Sequence, residues 1–323
     1  MTTAQDIALW TSIAWTAVAD ANDGLIGWHK QSVPYVGCGT TLQTVDVWIA
    51  LALASSSSGP SAPPPPAWIP AAVLPTPPLG RRRRRRGRPW AAYIHGGAWR
   101  DPRITAASLA PTAHALLRRA ATSAFPLGGL ASVNYRLSPH PHRLGLLGGG
   151  GAPWALVGHS CGATLAWQSV MDAGARWGLH GGEAAELQQP DAVVGLNGVY
   201  DLAGFVARPP ASHAGLRRVY AEFATGAFGP DEAVWRAACP ATAEGMWVDE
   251  WRADGAEGKR AVLAQSREDT LVPYEQLEGL REVLGRKAPW LDLRVVEARG
   301  DHDEMWERGT MADILMPVLE DLV

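Results

Sequence analysis

Cysteine is scarce: three residues, Cys38, Cys161 and Cys239, are scattered over 323. Their spacing matches no metal-ligand pattern, and an odd, dispersed set points to a reducing compartment rather than a disulfide framework. Long apolar runs are also missing, since no stretch reaches the roughly 18 residues of a spanning helix. The mildly apolar Ile7 to Ala19 is interrupted by Thr11, Ser12 and Thr16 and lacks the basic leader of a secretory signal. A cytoplasmic protein without a membrane partner is therefore expected. Charge of one sign is lacking too, with a net of −3. The exception is a local block, Arg81 to Arg86 with Arg88, and without those seven arginines the remainder carries −10. An acidic body is no nucleic-acid footprint.

What is present suits one large α/β domain: 47% of residues are hydrophobic and 19% charged, enough to bury a core. Residues 1–32 suggest no role, and a single domain is expected over 33–323. Residues 55–88 interrupt it with Ser55 to Ser58, Pro63 to Pro66 and the arginine block. Such a composition cannot bury enough apolar surface to offset its ordering entropy, so a low-complexity surface insertion is expected. Elsewhere short apolar runs alternate with helical patterns, as in a mainly parallel sheet. Candidate strands are Leu42 to Leu51, Trp90 to Ile94, Leu130 to Tyr135, Trp154 to Val157, Ala192 to Leu196, Ala261 to Gln265 and Leu291 to Val296. Ala163, Ala166, Trp167, Val170 and Met171 share one helix face, as do Met311, Ile314, Leu315, Val318 and Leu322. The tryptophan-rich stretch 201–259 is long enough for a small helical lid.

Gly158-His159-Ser160-Cys161-Gly162 is a G-x-S-x-G pentapeptide between an apolar run and a helical pattern. That context places Ser160 on a sharp strand-to-helix turn, exposed at the carboxyl end of a parallel sheet. A serine hydroxyl needs a base, and the base needs an orienting acid. Only His180, His213 and His302 follow Ser160. His180 should point away from the site, and His213 falls in the lid, where it would be mobile. His302 follows the last strand, where a loop can carry an imidazole over the sheet. Asp269 follows the preceding strand and suits the acid; Glu268 is its neighbour and competitor, and Asp301 and Asp303 flank His302 too closely. Upstream, His95-Gly96-Gly97-Ala98-Trp99 follows the strand Trp90 to Ile94. There Gly97 and Ala98, with the N–H of Cys161, can hold an oxyanion.

HGGAWRDP (95–102), NYRLSP (134–139), VGHSCGATLAWQ (157–168), NGVYDL (197–202), SREDTLVP (266–273) and GDHDEMWERG (300–309) together resemble the fungal kynurenine formamidases, arylformamidases of the α/β-hydrolase superfamily. The resemblance extends to residues 214–240 and covers roughly 33–54 and 89–323. It implies hydrolysis of N-formyl-L-kynurenine to L-kynurenine and formate, in tryptophan breakdown toward NAD, with no metal or organic cofactor. By matching motifs, Ser160 would be nucleophile, Asp269 acid and His302 base, with Gly97 and Ala98 in the oxyanion hole. Trp99 and Tyr200 are candidates for stacking on the aryl ring, and a homodimer stays open.

One segment departs from that pattern. Residues 137–153, LSPHPHRLGLLGGGGAP, stand where the family has a crossover helix. Glycine costs about 1 kcal/mol and interior proline about 3 kcal/mol in a helix, so this composition opposes one. Three function classes follow: a formamidase, a short-acyl carboxylesterase on the same triad, and a non-catalytic or misassembled chain that keeps the motifs.

Overall fold

In the computed structural model one sheet carries the molecule. The structure describes residues 10–21, 24–34, 43–51, 87–135, 137, 152–171, 189–253 and 258–323. The strands are β1 (Thr16–Ala19), β2 (Leu25–Pro34), β3 (Thr44–Ala50), β4 (Trp90–Ile94), β5 (Gly129–Val133), β6 (Trp154–His159), β7 (Ala192–Leu196), β8 (Arg260–Ser266) and β9 (Asp292–Ala298). They lie in the order β1-β2-β3-β5-β4-β6-β7-β8-β9. β1, β2, β3 and β5 pair antiparallel in turn, and from β5 onward every pairing is parallel. β4 to β7 are buried at every residue. A parallel strand covered on both faces leaves no solvent side for polar residues, so these strands read as mainly apolar runs, with Ser132 and His159 the polar members.

The helices are α1 (Ala110–Ser123), α2 (Cys161–Gln168), α3 (Leu202–Ala207), α4 (Arg217–Phe228), α5 (Glu232–Ala238), α6 (Asp249–Ala253), α7 (Glu275–Lys287), α8 (Glu304–Glu307) and α9 (Met311–Glu320). α1 starts with Pro111 in its first turn, where the missing N–H costs nothing, and ends at Ala124 in a left-handed conformation. It packs Leu116, Leu117 and Ala120 with Leu315 and Leu319 of α9 on one sheet face. α2 is buried at every position, and its polar side chains Thr164 and Gln168 donate to the carbonyls of Val199 and Ala238. It joins α7 and the 201–259 helices on the opposite face.

The tryptophans of that segment are core. Trp247 and Trp251 each meet Trp167 edge-on at 6.1 Å, and Trp251 meets Trp290 at 6.2 Å. β1 and β2 fall largely within residues 1–32, where the sequence suggested no role, and they extend the sheet. β2 hides its strand signal because it contains a buried lysine: Lys30 donates to the Trp10 carbonyl at 2.8 Å and lies over the Trp10 ring. Among the described residues no helix is long and apolar enough to cross a membrane. The insertion at 55–88, bar its last two residues, His180, and the 137–153 stretch apart from Leu137, Ala152 and Pro153 lie outside the described residues.

Topology positions the site. α1 follows β4 on one face, and α2 follows β6 on the other, so the chain reverses direction between these two neighbours. The loops leaving their carboxyl ends part there and open a crevice. β4 and β6 pair in register from Trp90–Trp154 to Ile94–Gly158, which sets His95-Gly96-Gly97 beside His159-Ser160.

Candidate active site

Ser160 sits between β6 and α2 at φ 56° and ψ −125°, a region that side chains rarely occupy. The flanking glycines make that turn feasible. A Cβ at Gly158 would lie 2.2 Å from the Gly162 carbonyl oxygen, and one at Gly162 would lie 2.2 Å from that of Ile94. Every nearest neighbour is backbone, so nothing can yield. The strain leaves the Ser160 hydroxyl facing a cavity of about 540 Å³, which His302, Gly97, Ala98 and Cys161 also line. Val199, Phe205, Phe223 and Leu271 give it an apolar wall.

β8 and β9 pair through Ser266–Ala298, so the loops beyond them run side by side. His302 Nδ1 donates to Asp269 Oδ2 at 2.8 Å. The Asp269 side chain is fully buried. Its Oδ1 accepts the N–H groups of Leu271 at 2.8 Å and Val272 at 2.7 Å, and Gln265 Nε2 donates to Oδ2 at 3.2 Å. With Nδ1 engaged, Nε2 is the ring nitrogen left for the cavity. Glu268, the competing acid, instead accepts the Gly300 N–H at 2.5 Å. Asp301 accepts from Thr270 and from the His302 N–H, at 2.7 to 2.9 Å, and so ties the acid loop to the histidine loop. Those hydrogen bonds, the Thr270 N–H first, lower the Asp301 carboxyl below its ordinary range.

The upstream loop turns tightly, with φ of +102° at Gly97, +49° at Ala98 and +60° at Trp99. It backs directly onto the Ser160 loop: a Cβ at Gly96 would lie 3.1 Å from that of Ser160. The N–H groups of Gly97, Ala98 and Cys161 have no backbone carbonyl partner among the described residues. The Cys161 thiol accepts the Trp99 N–H at 3.3 Å and meets the Tyr135 hydroxyl at 3.4 Å. Burial pushes this thiol up to about 11, so it brings neither a thiolate nor a negative charge to the site. Tyr135, expected to end a strand, instead leaves the sheet and donates to the Gly96 carbonyl at 3.0 Å.

Some expectations need correction. Tyr200 does not line the cavity: its ring is buried against Gly195 and Gly198, because the chain turns inward after Val199. Trp99 does line it, but is 1% exposed and packed edge-on against Phe228 at 5.2 Å. His213 is no mobile lid residue. It is buried, and its Nε2 donates to the Asp269 carbonyl at 3.1 Å, since Ser212 engages its Nδ1. With Tyr220, which donates to the Leu271 carbonyl at 2.8 Å, it makes the 201–259 segment a support for the acid loop.

Two site residues escape sequence reasoning. His159 Nε2 donates to the His302 carbonyl at 2.9 Å, and Asn197 Nδ2 to the same oxygen at 3.3 Å. Burial above all lowers His159 to about 4, so it stays neutral and serves as a donor. The resemblance-bearing motifs contain both residues, but nothing in either motif tells that they converge on His302. His159, His302 and Asp303 are the one grouping among the described residues that brings three potential metal ligands within 4.8 Å. His302 Nδ1 donates to Asp269 and His159 Nε2 to the His302 carbonyl, and these bonds brace the histidine loop.

No protein-family model matches the chain. It is 33% identical over 260 residues to the kynurenine formamidase-like hydrolase fscH of Fusarium equiseti, covering 68% of this chain and 79% of that one. To kynurenine formamidase avaC of Aspergillus versicolor it is 30% identical over 257 residues, covering 68% and 84%. Among solved structures, a truncated carbohydrate esterase from gut microbiota superposes at TM-score 0.54 and 14% identity over 90% of this chain and 96% of that one. A hyperthermophilic esterase of the archaeon Pyrobaculum calidifontis does so at 0.52 and 14% over 98% and 88%. The structural likenesses concern the fold.

Proposed function

The chain belongs to the kynurenine formamidase family of α/β-hydrolases, and from that premise we propose that it hydrolyses N-formyl-L-kynurenine to L-kynurenine and formate with Ser160, His302 and Asp269 as its triad. The observation that carries the reading is the buried Asp269–His302 pair at 2.8 Å, with His302 and Ser160 opening onto one cavity. His302 Nε2 takes the Ser160 proton as Oγ attacks the formyl carbon. The N–H groups of Gly97, Ala98 and Cys161 receive the developing oxyanion. The tetrahedral intermediate collapses when His302 returns the proton to the aryl nitrogen, breaking the C–N bond and releasing the arylamine. Water, deprotonated by His302, then attacks the formyl-Ser160 ester and frees formate. Formyl is the smallest acyl group, so it needs little room beside Cys161, while the apolar wall accepts the ring.

The purified chain should turn over N-formylkynurenine, and Ser160→Ala should lower kcat by at least about 10³-fold. Undiminished turnover by Ser160→Ala sinks the triad. Turnover of short acyl esters with none of the formamide moves the assignment to a carboxylesterase.

A further inference from the structure

Four charged side chains line the cavity: Arg100, Asp101, Arg103 and Asp303. Three are committed. Arg103 forks onto Asp101, with Nε 2.9 Å from Oδ1 and Nη2 2.6 Å from Oδ2, and its backbone N–H adds a bond to the same carboxylate at 2.9 Å. Asp303 accepts the Trp306 indole N–H at 3.0 Å and lies beside the His159 and His302 rings, where its charge faces the catalytic imidazole. Arg100 differs. Exposed at the cavity mouth, its guanidinium makes no ion pair and no hydrogen bond among the described residues, although its charge is near enough to help lower the Asp101 carboxyl. Its guanidinium carbon stands 5.1 Å over the ring of Phe223, itself a cavity residue.

An arginine on open surface is usually solvated and free to swing. Here an aromatic face restrains it, at a cavity wall, next to the turn that supplies the oxyanion donors, for its own N–H closes that turn onto the Gly97 carbonyl at 3.0 Å. A planar guanidinium in that position is preorganised for a carboxylate. We propose that Arg100 is the anion anchor of this cavity, and that it selects aryl formamides whose side chain ends in a carboxylate over neutral ones. This rests on the formamidase reading. In N-formylkynurenine the carboxylate lies at the end of the ketone side chain, ortho to the formamide, and Ser160 and Arg100 line the same cavity.

The test compares N-formyl-L-kynurenine with 2-formamidoacetophenone, which keeps the aryl ketone and formamide but lacks the amino-acid end. A hydrogen-bonded charge pair spans about 10- to 100-fold in affinity. Arg100→Gln should lose about that factor in kcat/KM on N-formylkynurenine, nearly all of it in KM, with the neutral formamide unchanged. Arg100→Lys should recover part of the loss. Equal losses on both substrates indicate a packing role and overturn the inference, as does no loss on either. Failure of the wild-type chain to hydrolyse either formamide removes the formamidase reading and this inference with it, a result distinct from the other two.

Discussion

Asp269 shows how tightly one side chain is specified. Its Oδ1 accepts two backbone N–H groups, and its Oδ2 accepts from Gln265 and from His302. An asparagine has one oxygen for four donors. It keeps that oxygen on Leu271 and Val272 and turns its amide hydrogens toward His302 Nδ1. That nitrogen must then be unprotonated, so Nε2 carries the hydrogen and cannot take one from Ser160. Asp269→Asn should lower kcat about 10³- to 10⁴-fold with circular dichroism unchanged. A loss below tenfold would remove Asp269 as the orienting acid. Ser160 and the glycines around it were legible in the sequence, because the requirement for missing Cβ atoms is local. The partners of His159 and Asn197 were not, because they lie 143 and 105 positions away.

At the scale of elements, the 201–259 helices act on the site through loops. Tyr220 stacks on Phe205 at 3.6 Å between ring centres and donates from α4 to the Leu271 carbonyl, two residues past Asp269. Tyr220→Phe keeps the ring and leaves that carbonyl without the donor, so it should cost about 1 kcal/mol in urea unfolding and lower kcat several-fold with KM little changed. A stability loss with kcat untouched would show that the bond braces the fold and not the acid. Strand limits were legible where both faces are buried and turn-forming residues flank the run: Trp90–Ile94 and Ala192–Leu196 fall where the pattern put them. β2 was not, since Lys30 breaks its apolar alternation and its partners Trp10 and Trp15 come from another part of the chain.

The whole molecule carries the same buried imidazoles into its pH response. His95, 1% exposed, donates to the Gly96 carbonyl at 2.8 Å, and burial lowers it to about 4 against an ordinary 6.5. Burial likewise lowers His159 to about 4. Between pH 6.5 and 4 the unfolded chain binds protons that the folded one excludes, so stability falls as pH falls through that window. For His95 the full swing is about 3 kcal/mol. Thermal midpoints should therefore drop steadily from pH 7 to 5, with a shallower decline in His95→Asn. A midpoint unchanged across that range would contradict the buried, neutral state of these residues.

Taken alone, the sequence determined the class of sheet and the strained serine turn, and it proposed the order serine, acid, histidine, since each depends on periodicity, on glycine at particular offsets, or on position along the chain. Only the tertiary structure decided that Glu268 turns to the Gly300 N–H, that Tyr200 turns into the core, and that His213 supports the Asp269 loop. Those outcomes depend on how parallel strands distant in sequence align their carboxyl ends. A one-residue change of direction there sends a side chain to the cavity, to the core or to a neighbouring loop.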